Sequence, residues 1–270
     1  MKTKYKALLI LPISLLGTLL CLEKSALGST LFTETFDNNS QYTSNVSEFS
    51  DGSADYWTRT DGSNISIGSN PFTNPDGFFF AGQDLNGEGG SDTATLTWNS
   101  INIANFTNLS FSGFFAEDDS SDGNEDWDNG GNGDQDFVLV EYQIDSGGFQ
   151  KLLAFESSTA LGGFNDEPLV DTDFDGTGDG IALTNTFSQF TSNIAGTGNL
   201  FDLRITVSLD DGDEDIAFDN LTITGDSQSN NMVGVPEPLT IFGSVTAALF
   251  GGFFKQKLKK NKKEKSSESA

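Results

Sequence analysis

The chain contains no histidine. That absence excludes Ser-His-Asp and Cys-His catalysis, histidine-ligated zinc and general-base imidazole chemistry together. Cysteine is almost missing as well. The only one, Cys21, sits inside an N-terminal apolar run, so a chain processed after export carries neither thiol nor disulfide. Basic residues are scarce in the middle of the chain: between Ser29 and Val235 only Arg59, Lys151 and Arg204 face 36 acidic residues, a net charge of −33. Nucleic acid needs a basic footprint, and this body offers the opposite. Two readings of the acidity stay open, a solvated self-repelling surface or a set of carboxylates that bind divalent cations. No stretch of the body keeps a helical period, and no apolar run reaches the roughly 18 to 20 residues of an ordinary membrane span.

What the ends do contain reads as addressing. Lys2, Lys4 and Lys6 precede an apolar run, and Ser25-Ala26-Leu27-Gly28 supplies small residues after it. This order predicts a secretory signal peptide over 1–28. At the other end a polar linker, 226–234, leads to Pro236-Glu237-Pro238, 16 uncharged residues at 239–254, a lysine cluster, and a polar tail at 264–270. As a helix the 16 residues cover about 24 Å, short of the roughly 30 Å hydrocarbon core. A transient membrane association is expected, with the lysines on the cytoplasmic side and the acidic body outside. The segment 235–263 resembles the PEP-CTERM sorting signal of Gram-negative envelope and biofilm proteins, and Pro236, Glu237 and Pro238 match its motif residue by residue. The resemblance implies an exosortase as partner, cleavage near the triplet, and a body delivered to the cell envelope or the extracellular space.

Between the ends, short runs alternate apolar and polar residues or gather aromatics. The pattern predicts strands at 31–36, 77–81, 93–98, 109–115, 137–144, 149–155, 187–190, 200–209 and 216–224. Asp-Gly pairs beginning at Asp51, Asp61, Asp76, Asp122, Asp175, Asp179 and Asp211 suit turns that need positive φ at glycine. The expected fold is all-β, an antiparallel β-sandwich over 29–225. The opening "LFTETFD", the hairpin "FVLVEYQIDSGGFQ" and the closing "EDIAFDNLTITG" resemble the jelly-roll lectin-like domains of secreted bacterial proteins and carbohydrate-binding modules.

Three groups of residues carry candidate chemistry. Asp171, Asp173, Asp175 and Asp179 alternate around Gly176, as in the first half of an EF-hand loop, and could converge on Ca²⁺. The second half departs from that pattern: position twelve is Ala182, so a missing ligand has to come from water, a carbonyl or a neighbouring loop. Glu34 and Asp219, on the first and last strands, form a second calcium candidate by their resemblance to the terminal-strand ligands of jelly-roll modules. Trp127 and Asp128, midway in a long acidic segment, are candidates for stacking on a sugar and binding its hydroxyls. The expected function is that of an exported, calcium-stabilised module engaged with extracellular polysaccharide and not an enzyme. A secreted polysaccharide hydrolase and a passive structural protein of the envelope are the alternatives.

Overall fold

A computed structural model describes residues 28–228 apart from 39–40, 52–54, 66–71, 87–90, 92, 119–126, 128–134, 159–166 and 213. The signal peptide, the Pro236-Glu237-Pro238 motif, the apolar stretch 239–254 and Asp128 lie outside the described residues. Within them every regular element is a strand, and no helix is long and apolar enough to cross a membrane.

The strands form two antiparallel sheets. In the first, β11 (Ser188–Asn193), β7 (Phe106–Ala116), β13 (Asp215–Ser227), β5 (Phe79–Gln83), β4 (Tyr56–Thr60) and β3 (Phe49–Ser50) lie in that order, and β1 (Ser29–Glu34) also pairs with β13. The second runs β10 (Pro168–Val170), β9 (Gln150–Ser157), β8 (Phe137–Ile144), β12 (Leu200–Ser208), β6 (Thr93–Asn102) and β2 (Thr43–Ser44). β5 and β1 occupy successive halves of one side of β13: Ile216, Ala217 and Phe218 face Gly82, Ala81 and Phe80, then Leu221 to Gly225 face Glu34 to Ser29. β13 runs on to Ser227, two residues into the stretch read as linker.

Alternation sorts the side chains into layers. Leu96, Trp98, Phe111, Phe115, Val138, Val140, Phe155, Ile205, Val207 and Phe218 pack between the sheets. Each fully buried aromatic or aliphatic side chain contributes about 1.5 to 3 kcal/mol relative to exposure. A second, smaller cluster of Tyr56, Phe72, Phe79, Ala81, Ala116, Phe187 and Ala217 covers the other face of the first sheet.

Turn chemistry fixes the register. The β8–β9 hairpin closes on Asp145 (φ 47°) and Ser146 (φ 65°), with the Gly147 N–H donating to the Ile144 carbonyl at 2.9 Å. Positive φ at both central residues is the turn hand that matches strand twist. The Asp145 carboxylate also accepts from the backbone N–H of Leu200 (2.9 Å) and of Asn199 (3.0 Å), pinning the start of β12. These bonds, the Leu200 one foremost, hold its carboxyl below the usual range. Of the Asp-Gly turns, Gly62, Gly77 and Gly176 take positive φ, whereas Gly180 does not. Gly180 is small for packing, since a Cβ there would lie 2.8 Å from the Val170 carbonyl oxygen.

Candidate functional site

The acidic loop begins where β10 ends. β10 pairs with β9 through Leu169–Glu156 and Val170–Phe155, and the Asp171 N–H continues the ladder to the Ala154 carbonyl at 3.0 Å. Asp171 is therefore carried inward and is buried. Its Oδ1 accepts from the backbone N–H groups of Asp173 (3.2 Å) and Phe174 (2.6 Å), and its Oδ2 from that of Gly176 (2.9 Å). The chain curls around one carboxylate, which requires positive φ at Phe174 (62°) and Gly176 (90°).

This curl brings oxygens of Asp171, Asp173 and Asp175 within 4.8 Å of one another. Asp179 stays outside that group. Its Oδ1 accepts from the Thr172 N–H (2.9 Å) and hydroxyl (2.8 Å), so it ties the far side of the loop back to its start. The Thr172 N–H bond, then the hydroxyl bond, lower its carboxyl from the ordinary value.

A fourth carboxylate comes from the neighbouring strand. Glu156 is buried on β9, and burial first, then the charge of Asp171, pushes it up to about 7, against the pull of Lys151. Gln135 Nε2 donates to Glu156 Oε2 at 2.8 Å and to the Gly176 carbonyl at 3.1 Å, clamping strand to loop. Glu156 adds a carboxylate beside the loop, outside the three whose oxygens lie within 4.8 Å of one another. Three exposed or curled aspartates and one buried glutamate, all oxygen donors, suit a hard divalent cation. Sequence reasoning missed Glu156 because in "LLAFES" it reads as an ordinary strand residue.

The second expected pair also shares one region. Asp219 is buried at the point where β5 gives way to β1 along β13, with positive φ at Asn220 (51°) and a register break against β7. Glu34 ends β1 opposite Leu221 and is buried; its Oε1 accepts from the Phe36 N–H (3.0 Å), and its Oε2 from Trp98 Nε1 (3.0 Å). Burial pushes Asp219 up to about 7, opposed by the Asn220 N–H and reinforced by the charges of Asp37, Asp76 and Glu34. Asp37 Oδ1 accepts from the Phe78 N–H at 3.1 Å. The close approach requires Gly77, where a Cβ would lie 2.2 Å from that oxygen. Arg59 stacks on Phe78 at 3.9 Å and donates to the carbonyls of Phe36 and Asp37. Four carboxylates thus act on one neighbourhood, though among the described residues only the Asp171 loop and the cluster below draw three ligand oxygens within 4.8 Å.

That third cluster is Asp136, Asp210 and Glu214, at the end of the sandwich where β8 begins, β12 ends and β13 begins. Glu214 Oε2 accepts from the N–H groups of Asp210 (2.9 Å) and Asp211 (3.0 Å), and burial pushes the group up to about 7. The run Asp210-Asp211-Gly212-Asp213-Glu214-Asp215 was its sequence signal.

Trp127 corrects an expectation. It is fully buried, packs in the core between the sheets, and presents no face on which a sugar could stack. A large indole buries more area than any other side chain, and that gain drew it inward from an acidic segment.

A groove lies elsewhere, along the open side of the sandwich where residues of the edge strands β10 and β11 line it together. It has a volume of about 490 Å³ and is lined by residues of β9, β10, the 171–181 segment and β11.

No family model matches the chain, and no curated protein matches it. Solved structures of similar shape include the CBM22-1 xylan-binding domain of Paenibacillus barcinonensis Xyn10C, at 11% identity and a TM-score of 0.36, covering 75% of this chain and 97% of that one. The K3 cleaved adhesin domain of Lys-gingipain from Porphyromonas gingivalis w83 matches at 14% identity and a TM-score of 0.37, covering 72% and 98%. A cyclase from Fischerella sp. TAU matches at 14% identity and a TM-score of 0.40, covering 76% and 100%.

Proposed function

We propose that the body is a calcium-stabilised β-sandwich that binds extracellular polysaccharide, exported by its N-terminal signal and sorted by its C-terminal PEP-CTERM segment. The observation that carries the calcium part is the convergence of Asp171, Asp173 and Asp175 beside buried Glu156, where Lys151 is the one cation acting on that glutamate among the described residues. Ca²⁺ takes six to eight oxygens at about 2.3 to 2.6 Å, and these carboxylates with loop carbonyls and water fit that demand. Glu34 and Asp219, with Asp37 and Asp76, form a second place for the same ion. Polysaccharide binding is supported by the resemblance of "LFTETFD", "FVLVEYQIDSGGFQ" and "EDIAFDNLTITG" to lectin-like domains and by a body whose charge disfavours polyanionic partners.

The hydrolase alternative needs two carboxyls roughly 5 to 9.5 Å apart flanking a sugar. Glu214 has the raised carboxyl but sits within 4.8 Å of two others and is 2% exposed, which favours a packed or ion-bridged node over an acid-base pair.

Thermal unfolding followed with calcium and with chelator tests the ion. A midpoint several degrees higher in calcium is expected, and an unchanged midpoint rejects it. Intact-mass measurement of the exported protein tests the sorting: Lys255 to Lys265 should be gone, and their retention contradicts removal of the tail.

A further inference from the structure

Resting on the polysaccharide reading, we propose that the open-side groove, walled by the acidic loop, is where a neutral pyranose chain binds, and that cation binding to that loop strengthens it. The groove's volume falls within the roughly 300 to 1,000 Å³ of small-ligand sites. Its lining has the two chemistries a sugar ring requires. Phe174, Ile181 and Phe190 present carbon for the C–H faces of the ring, and Thr172, Gln189 and Thr191 present donors and acceptors for hydroxyls.

Ile181 is 73% exposed, and it and Leu200 are the only large hydrophobic side chains so exposed among the described residues. An isolated exposed hydrophobe is ordinary, but Ile181 lines the same groove as Phe174 and Phe190. Charge narrows the ligand. No Lys or Arg lines the groove, and its one carboxylate, Asp171, already accepts three backbone N–H bonds. The nearest cation, Lys151, sits over the Phe174 ring with its Nζ engaged by the Phe174 carbonyl, and the loop aspartates outnumber it, so an anionic glycan would meet net repulsion and a neutral one would not.

The wall is built in advance. Phe174 holds a positive φ that bulky residues rarely adopt, kept there by the Phe174 N–H bond to Asp171 and by Lys151 Nζ donating to the Phe174 carbonyl at 3.1 Å. Thr172 and Phe174 alternate with Asp171, Asp173 and Asp175 along the chain, so a cation that draws the aspartates together fixes the groove side of the same loop. Less ordering then remains for the sugar to impose.

The test measures binding of the full-length protein to a soluble neutral β-glucan, a neutral β-mannan and an anionic polyuronate, in calcium and in chelator. Expected are binding to at least one neutral glycan, weaker or no binding to the polyuronate, and tenfold or greater weakening by chelator. Ile181→Ser and Gln189→Ala, both at exposed positions, should together weaken binding at least tenfold with the unfolding midpoint retained, while Leu200→Ser, at an exposed hydrophobe outside the groove lining, should leave it unchanged. Neutral-glycan affinity within twofold of the parent in the Ile181/Gln189 variant overturns the groove while leaving the polysaccharide reading standing. A preference for polyuronate overturns the neutral-ligand inference. Silence of the parent protein toward all three glycans in calcium rejects the polysaccharide reading itself.

Discussion

Asp171 is a scaffold carboxylate that the proposed calcium site would also use as a ligand. Its two oxygens accept three backbone N–H groups, enough to hold the loop curled without an ion, and still lie within reach of Asp173 and Asp175. Hydrogen bonds to a charged acceptor are worth about 1.5 to 3 kcal/mol each, and removing the acceptor leaves buried donors unpaired. Asp171→Ala should therefore lose about 2 to 5 kcal/mol in denaturant unfolding and also lose the calcium-induced rise in midpoint. Asp171→Asn keeps an acceptor oxygen without the charge, so it should recover part of the stability but not the calcium response. If the asparagine variant kept the full calcium shift, the ion would be bound elsewhere, with the Glu34 and Asp219 region the first place to look.

Among the elements, contrast between charged pairs predicts which ones matter. Arg204 and Glu141 face each other across β12 and β8, with Arg204 Nη2 2.6 Å and Nε 2.9 Å from one Glu141 oxygen, and the guanidinium stacks 3.8 Å from the Phe149 ring. The arginine side chain is 33% exposed, so water screens the pair. Glu141→Gln should cost about 0 to 1 kcal/mol by denaturant unfolding, well below Asp171→Ala although the shortest contact of each carboxylate is 2.6 Å. Strands such as β8 and β12 were legible in the sequence because one face is core and the other solvent, which produces clean alternation. β4 was not: in Tyr56-Trp57-Thr58-Arg59-Thr60 both faces are buried, because the second hydrophobic cluster covers the sheet's outside and erases the period. β2, β3 and β10 span only two or three residues and carry too few positions for any period to register. The aspartate loop was visible as spacing, and Glu34 with Asp219 through the resemblance of the first and last strands to jelly-roll modules. Glu156, Asp37 and Asp76 were not, since what nominates them is pairing register and a glycine-permitted approach rather than neighbours in the chain. Trp127 was visible as an aromatic in an acidic segment, but its direction depended on a core that only the folded sheets create.

For the whole molecule, the excess of acids would make protons and the proposed calcium ion competitors for the same stabilising role. Glu156, Glu214 and Asp219 lie in three separate regions, and burial pushes each up to about 7. A carboxyl raised in the folded state binds protons that the unfolded chain releases. Its stabilisation is fully present below the unfolded value of about 4 to 4.5 and is lost as pH rises through about 7. Asp61, Asp145 and Asp179, whose carboxyls are lowered, act oppositely, but their contribution is lost only as pH falls below the ordinary carboxylate range, outside this window. In chelator the unfolding midpoint should therefore rise as pH falls from 8 to 5, contrary to the usual behaviour of a protein whose carboxylates are salt-bridged. Calcium acts where the proton cannot, since it requires the ionised groups. Adding it should raise the midpoint most at pH 8 and least at pH 5, flattening or reversing the slope. A chelated protein whose midpoint fell steadily from pH 8 to 5 would mean that these carboxyls are stabilised as anions by the fold itself. In that case calcium would have no repulsion to relieve.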